Sequence, residues 1–355
     1  TGFGQAVKDI SMKGIFMEKS LKKDIIINRL PVVIYFILIF AALIVIISAV
    51  APMSNHEPKT TDTYSDFSTG WLNCEESEAS LDHLSGTTVI HRTITAADCN
   101  KTLFFFAKTS NINVFIDGVC QYRNNHFCSQ FFGKTPGALF VNVLIPAKSD
   151  GKLLEIEIEN PYKDDDSAKL DEMYIGDISD IIQFQQQKRF NSFCISFIIM
   201  VLGVVMLLLF IPLTRQKIVG IEFLNLGVTA FVSGLYLTTD GRYLQLVFGD
   251  AHIYHVIAET ALRLSILPFL IFLSQMYESY SKRISAILCV IGEIAFAGCF
   301  IGEITEIMDY HETLFLVHVV FAISMLFILV STIKGIVKAP KENICHNIGC
   351  IVLSF

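Results

Sequence analysis

The spacing of apolar residues changes character twice along the chain, near residue 53 and again near residue 190. Residues 31–50 form a stretch of 20 without a charge, the length a helix needs to cross about 30 Å of hydrocarbon. From 53 to 189 the apolar stretches are short and broken by polar residues and turns. After 190 long apolar runs return, at 193–213, 218–237, 253–276, 284–304 and 314–333, and another begins near Asn347 and continues to Phe355. These runs tolerate only isolated charges such as Glu222, Glu259 and Arg263. A large soluble core can hide one such run, but not six, so the pattern predicts a multi-pass membrane protein.

The middle block has the period of strands. Leu154, Ile156 and Ile158 alternate with Glu155, Glu157 and Glu159, which places apolar side chains on one sheet face and carboxylates on the other. The acidic row reads as a solvated strand face. Residues 87–94, 103–107 and 138–145 also read as strands, the last ended by Pro146. Residues 113–116 and 119–122 flank Asp117-Gly118, whose positive φ angles suit a type I′ hairpin turn. Several short strands with turn signals between them predict a sandwich or jelly roll. The expected fold class is an α+β membrane protein. It has a basic tail over 1–30, an anchor helix over 31–52, a β-sandwich over 53–189 and a helical bundle over 190–355.

The first apolar run also resembles a signal peptide. Lys19, Lys22, Lys23 and Arg29 precede it, and Ala49-Val50-Ala51 offers small residues at a cleavage site. The run is about twice the usual length of a signal core, and Pro52 would follow the cut, so an uncleaved anchor is expected. Met17 reads as a natural start, and a chain that stops inside an apolar run reads as truncated at its C-terminal end.

Composition sharpens this picture. Of 355 residues 52% are hydrophobic and 17% charged, and the mean hydropathy is +0.53. A soluble domain is about a quarter charged. The net charge of −7 and pI near 5.7 argue against a nucleic-acid partner. Residues 53–189 hold 20 acidic and 12 basic side chains, and the rest hold 14 and 15. An acidic block is therefore set in a slightly basic apolar frame. Residues 1–30 carry six Lys and Arg, and further bases follow alternate runs at Arg215, Lys217, Lys282, Arg283, Lys334, Lys338 and Lys341. The intervening loops carry only Arg242, and one of them holds Glu303, Glu306, Asp309 and Glu312. The positive-inside rule then puts the N-terminus in the cytoplasm and residues 53–189 outside the cell membrane.

Candidate chemistry is sparse. There is no phosphate-binding G-x-x-x-x-G-K-[ST], no G-x-S-x-G and no H-E-x-x-H, so no catalytic residue, cofactor or metal is expected in these 355 residues. Asp250, His252, His255 and Glu259 have helical spacing but read as polar caps at an aqueous interface. Cys74, Cys99, Cys120 and Cys128 permit two disulfides or four free thiols, with Cys120 and Cys128 placed to close a short loop. Trp71, Tyr122 and His126 are candidates for stacking on a ligand, with core packing the alternative for Trp71.

Charge inside the apolar runs demands partners. Arg263 lies about 15 Å into its run, and Glu293 about 14 Å into the next, at 1.5 Å per residue. Glu259 is one turn before Arg263. The expectation is a buried cluster of Glu259, Arg263 and Glu293 that ties two helices together.

The order of parts resembles the bacterial seven-transmembrane receptors with diverse intracellular signalling modules. Asp66-Phe67-Ser68-Thr69-Gly70-Trp71 resembles the first strand of their jelly-roll sensor, and Asn113-Val114-Phe115-Ile116-Asp117-Gly118 its hairpin. Phe132-Gly133-Lys134-Thr135-Pro136-Gly137, followed by a strand ending at Ile145-Pro146, fits the same pattern. Tyr174-Ile175-Gly176-Asp177 resembles the approach to the first receptor helix. Thr239-Asp240, Leu244-Gln245-Leu246 and Leu267-Pro268-Phe269 resemble later helices. The similarity covers roughly residues 60–280. It implies a sensor for an external small molecule, sugar or peptide, a homodimer, and a cytoplasmic output domain. That output is usually a GGDEF diguanylate cyclase and less often a histidine kinase. Residues 177–189, rich in glutamine, would then carry the signal into the membrane. A transporter subunit is the competing reading, although no internal repeat is visible, and an envelope scaffold is a third.

Overall fold

The computed structural model describes residues 63–124, 137–162, 167–249, 251–276, 280–305 and 307–338. The basic tail, the anchor run, the run beyond Asn347, and the candidates His126, Cys128 and Asp250 lie outside the described residues.

Among the described residues nine strands form two antiparallel sheets. They are β1 (Tyr64–Asp66), β2 (Leu72–Asn73), β3 (Thr87–Thr93), β4 (Thr102–Lys108), β5 (Asn111–Ile116), β6 (Val119–Arg123), β7 (Ala138–Leu144), β8 (Leu153–Glu159) and β9 (Lys169–Gly176). One sheet has the order β1-β9-β4-β7 and the other β2-β3-β8-β5-β6. The alternation in β8 is realised: Leu154, Ile156 and Ile158 are fully buried, and Glu157 on the other face accepts from Asn113 Nδ2 at 2.8 Å. The β5–β6 turn has φ of 52° at Asp117 and 74° at Gly118, as the hairpin reading requires. Between the sheets, Phe67, Trp71, Leu103, Phe105, Val141 and Ile175 pack with the buried residues of β3, β5 and β8.

Six helices follow among the described residues: α1 (Ile178–Arg215), α2 (Ile221–Asp240), α3 (Tyr243–Phe248), α4 (Ala251–Met276), α5 (Lys282–Ile304) and α6 (Leu314–Lys338). All except α3 are long and apolar enough to cross a membrane. Helix α1 has 38 residues, about 57 Å at 1.5 Å per residue, nearly twice a hydrocarbon core. Its excess length is residues 178–189, expected to be a linker and found instead to be helix. Asp177 caps it, with Oδ1 accepting from Ser179 N at 2.8 Å. The Asp177 amide also donates to Thr63 O at 3.0 Å, tying the cap to the first strand.

Small residues set the α1–α2 contact. A Cβ at Gly203 would run into the backbone of Phe231, and one at Gly234 into that of Met200. In a bilayer, where apolar burial gives little drive for helix association, such close backbone approach does the packing. Helix α5 bonds to the backbone of α4 beside Pro268: Ser285 Oγ donates to Leu270 O at 3.0 Å and Cys289 Sγ to Leu267 O at 3.7 Å.

Candidate functional site

Strand β4 of the β1-β9-β4-β7 sheet is buried on both faces. Leu103, Phe105 and Ala107 enter the sandwich core, whereas Phe104 and Phe106 point the other way and are still buried, at 1% and 3% exposure. Phe140 on β7 stacks on Phe104 at 5.3 Å between ring centroids. The first turns of α1, the α2–α3 connection and the start of α4 cover this outward face. Phe184 of α1 packs on Tyr64 and Tyr174 at 5.5 and 5.7 Å. Arg242 lies 3.9 Å from the Phe106 ring centroid and Arg189 lies 5.0 Å from that of Phe140. Gln245 of α3, with its amide oriented to suit both neighbours, donates to Ala138 O at 3.0 Å and accepts from Phe140 N at 2.9 Å. Gly137, at φ +79°, sits on His255, and a Cβ there would be 2.7 Å from the histidine Cβ. The β domain is thus seated directly on the helix ends.

Two polar clasps flank this seat. Glu172 meets Arg189 Nη2 at 2.6 Å and Lys188 Nζ at 2.9 Å. Burial pushes the Glu172 carboxyl up, but hydrogen bonds and charge from Lys188 and Arg189 outweigh it and hold the group below its ordinary value of 4.5. Across the molecule, the Tyr162 hydroxyl donates to Asp309 in the α5–α6 connection, and the Tyr162 ring stacks on His311 at 4.3 Å. Burial first, then the Asp309 hydrogen bond and nearby carboxylates, drive the Tyr162 pKa far up, so the phenol stays neutral.

Arg263 organises the helix side. Its side chain is 1% exposed. Nη1 meets Glu259 Oε2 at 2.5 Å, Nη2 donates to Tyr310 O at 2.7 Å, and the guanidinium lies 4.1 Å from the Tyr310 ring centroid. The expected third member is elsewhere. Gly292 faces α4, where a Cβ would strike Leu267. Glu293 is rotated about 100° from it on the helix and lies exposed on α5, with no ion pair among the described residues. Arg263 finds its second anchor at the buried Tyr310 of the α5–α6 connection instead.

The sequence candidates for ligand stacking divide. Of the two readings of Trp71, core packing holds and ligand stacking does not: it is 1% exposed, its Nε1 donates to Phe67 O at 2.8 Å, and its ring packs edge-on against Phe67, so no ring face is accessible. Tyr122 lines a cleft of about 500 Å³ between the β domain and the helices, with Phe104, Asn124, Phe140, Asn142 and Leu246 among its other walls. Cys74, Cys99 and Cys120 are free thiols; the Cys120–Cys128 pairing involves a residue outside those described. Among the described residues no cluster of three or more His, Cys, Asp or Glu could hold a metal ion. Comparison with protein-family models, curated proteins and solved structures returned no match.

Glu172, Arg189, Tyr162 and Asn124 were not singled out by sequence reasoning, and Arg242 and Asp309 entered it only through the charge of the loops. One signal was present: Phe104-Phe105-Phe106 breaks strand alternation, as a strand buried on both faces must.

Proposed function

We propose that this chain is the sensory and membrane part of a signalling receptor in a cell membrane. In this reading the β domain lies outside, the bases at Arg215, Lys217, Lys282, Arg283 and Lys338 lie inside, and the output chemistry resides in a separate cytoplasmic module. The observation that carries it is the junction at Gly176-Asp177. There β9 passes with a single capping residue into α1, and the outer face of the same sheet rests on the first turns of that helix. A ligand that prefers one placement of the sheet would bias the position of α1 by its difference in affinity between the two placements.

The strand order β1-β9-β4-β7 against β3-β8-β5-β6 supports the jelly-roll part of the resemblance to seven-transmembrane receptors with diverse intracellular modules. By that analogy the output is a diguanylate cyclase or a histidine kinase and the active form a homodimer. The competing transporter reading calls for helices broken near the midplane, and α1, α2, α5 and α6 run unbroken through their middles. Reading the gene beyond Phe355 is the test. An appended GG[DE]EF or kinase domain is the expected result, and a stop codon after one or two more helices would favour transport instead.

A further inference from the structure

The cleft at the junction has the features of a binding site. Its volume of about 500 Å³ falls in the range of small-ligand pockets, roughly 300–1,000 Å³. Its walls come from three parts of the chain: Phe104 and Phe140 from the outward sheet face, Tyr122 and Asn124 from the end of β6, and Leu246 from α3. Asn124 is 9% exposed, and its Nδ2 has no hydrogen-bond partner among the described residues. Its backbone is nonetheless fixed, the amide donating to Ile112 O at 2.9 Å. A buried donor left unpaired keeps the cost of its lost hydration. This one lines an open cleft, where an acceptor on a bound molecule would recover that cost.

Among the described residues none that lines the cleft is charged. Two bases that pack on the same sheet face are engaged, Arg189 with Glu172 and Arg242 over Phe106. An ion entering would lose hydration without a counter-charge. The partly exposed rings of Tyr122 and Phe140 instead offer flat faces, and the Asn124 and Asn142 amides offer neutral hydrogen-bonding groups.

We propose that this cleft binds an uncharged molecule of one or two rings with hydroxyl or carbonyl groups at its edge, one of which accepts from Asn124 Nδ2. The proposal deepens the receptor reading and rests on it for its biological role. A molecule bound here touches sheet and helices at once, so its affinity depends on how the two are docked. A saccharide and a capped aromatic amino acid share this chemistry, and the test separates them.

The experiment is binding to the full chain in lipid nanodiscs, followed by calorimetry, with maltose and N-acetylphenylalaninamide as neutral probes and glucuronate as the anionic control. The expected result is saturable binding of at least one neutral probe and none of glucuronate. Asn124→Leu, which removes no hydrogen bond from the free protein, should weaken binding about tenfold, the upper range for one hydrogen bond. Leu246→Trp, which fills the cleft from α3, should abolish it. Failure of both neutral probes to bind, equal binding of glucuronate, or affinity unchanged in both variants overturns the proposal. Spin labels on the β domain and at the inner end of α1 separate this from the receptor reading. Saturable, variant-sensitive binding without a change in their distance upholds the site and counts against signalling.

Discussion

Glu172 occupies a β-bulge that aims its carboxylate at Arg189. The β4–β9 register passes from Phe104 opposite Tyr174 to Phe106 opposite Asp171, so two β9 residues face one on β4. Glu172 takes up the extra length at φ +52° and meets Arg189 at 2.6 Å. Bulges re-aim side chains in this way, and here the result links the last strand to the helix that follows it. Glu172→Gln keeps the shape and removes the charge. It should cost about 1.5–3 kcal/mol, the range for a charged hydrogen bond, with unfolding of the chain in detergent as the measurement. Faster hydrogen exchange in residues 178–189 should accompany it.

The same carboxylate sets a pH dependence. Its folded pKa lies below 4.5, so its stabilisation is fully present above the unfolded value and is lost as pH falls through the lower folded value. Exchange protection of residues 178–189 should therefore drop on acidification below about pH 4.5, and the drop should be smaller in Glu172→Gln. Equal acid profiles in the two proteins would assign the transition to other carboxylates.

How much of this was legible beforehand depends on whether the deciding neighbour is local in sequence. The five spans, the β8 alternation and the Asp117-Gly118 turn follow from the residues themselves. Helix α1 begins at Ile178, well before its apolar run at Phe193, because residues 178–189 are matched to a sheet face that only tertiary folding supplies. Glu293 was misplaced because spacing gives its depth but not the rotation of α5, which the Gly292–Leu267 approach sets. The short helix α3 and the buried Tyr310 connection have no periodic signature. For Trp71 the residues left core packing and ligand stacking both open, and only the packing of the two sheets places its ring in the core.

The α1–α2 contact supplies a test of bundle packing. Gly234→Leu puts a branched side chain against the Met200 backbone, where even a Cβ has no room. Overpacking typically costs about 1–3 kcal/mol, and more is expected here because backbone is the obstacle. The measurement is thermal unfolding in detergent, with Gly298→Leu as the control, since nothing lies near a Cβ at Gly298. Equal stability of the two variants would mean that α1 and α2 are not closely packed at Gly234.

The clasp between Tyr162 and Asp309 joins the β domain to the α5–α6 connection. Tyr162→Phe keeps the stack on His311 and removes the hydroxyl that donates to Asp309. The buried Asp309 carboxylate then loses a donor, a loss of about 1.5–3 kcal/mol for a charged hydrogen bond. Hydrogen exchange of residues 307–313 should rise while α1 keeps its protection, because the Glu172 clasp lies on a different helix. The phenol stays neutral through the ordinary pH range, so this contact should not weaken on raising the pH to 9.

Arg263 offers the sharpest separation between depth and rotation. Arg263→Leu leaves Glu259 unpaired and releases the Tyr310 carbonyl, and breaking a buried pair from one side costs about 3–5 kcal/mol. Glu293→Leu should have the opposite sign. It removes an exposed carboxylate from the middle of α5, where charge costs about 2.5–3.5 kcal/mol in hydrocarbon. Because Arg263 and Glu293 share no partner, their double mutant should show the sum of the single effects. Arg263 and Glu259 touch, so their double mutant should recover part of the Arg263→Leu loss. Unfolding of the four variants in one detergent series measures both cycles. A coupling of more than about 0.5 kcal/mol between Arg263 and Glu293 would mean that α5 turns its carboxylate inward.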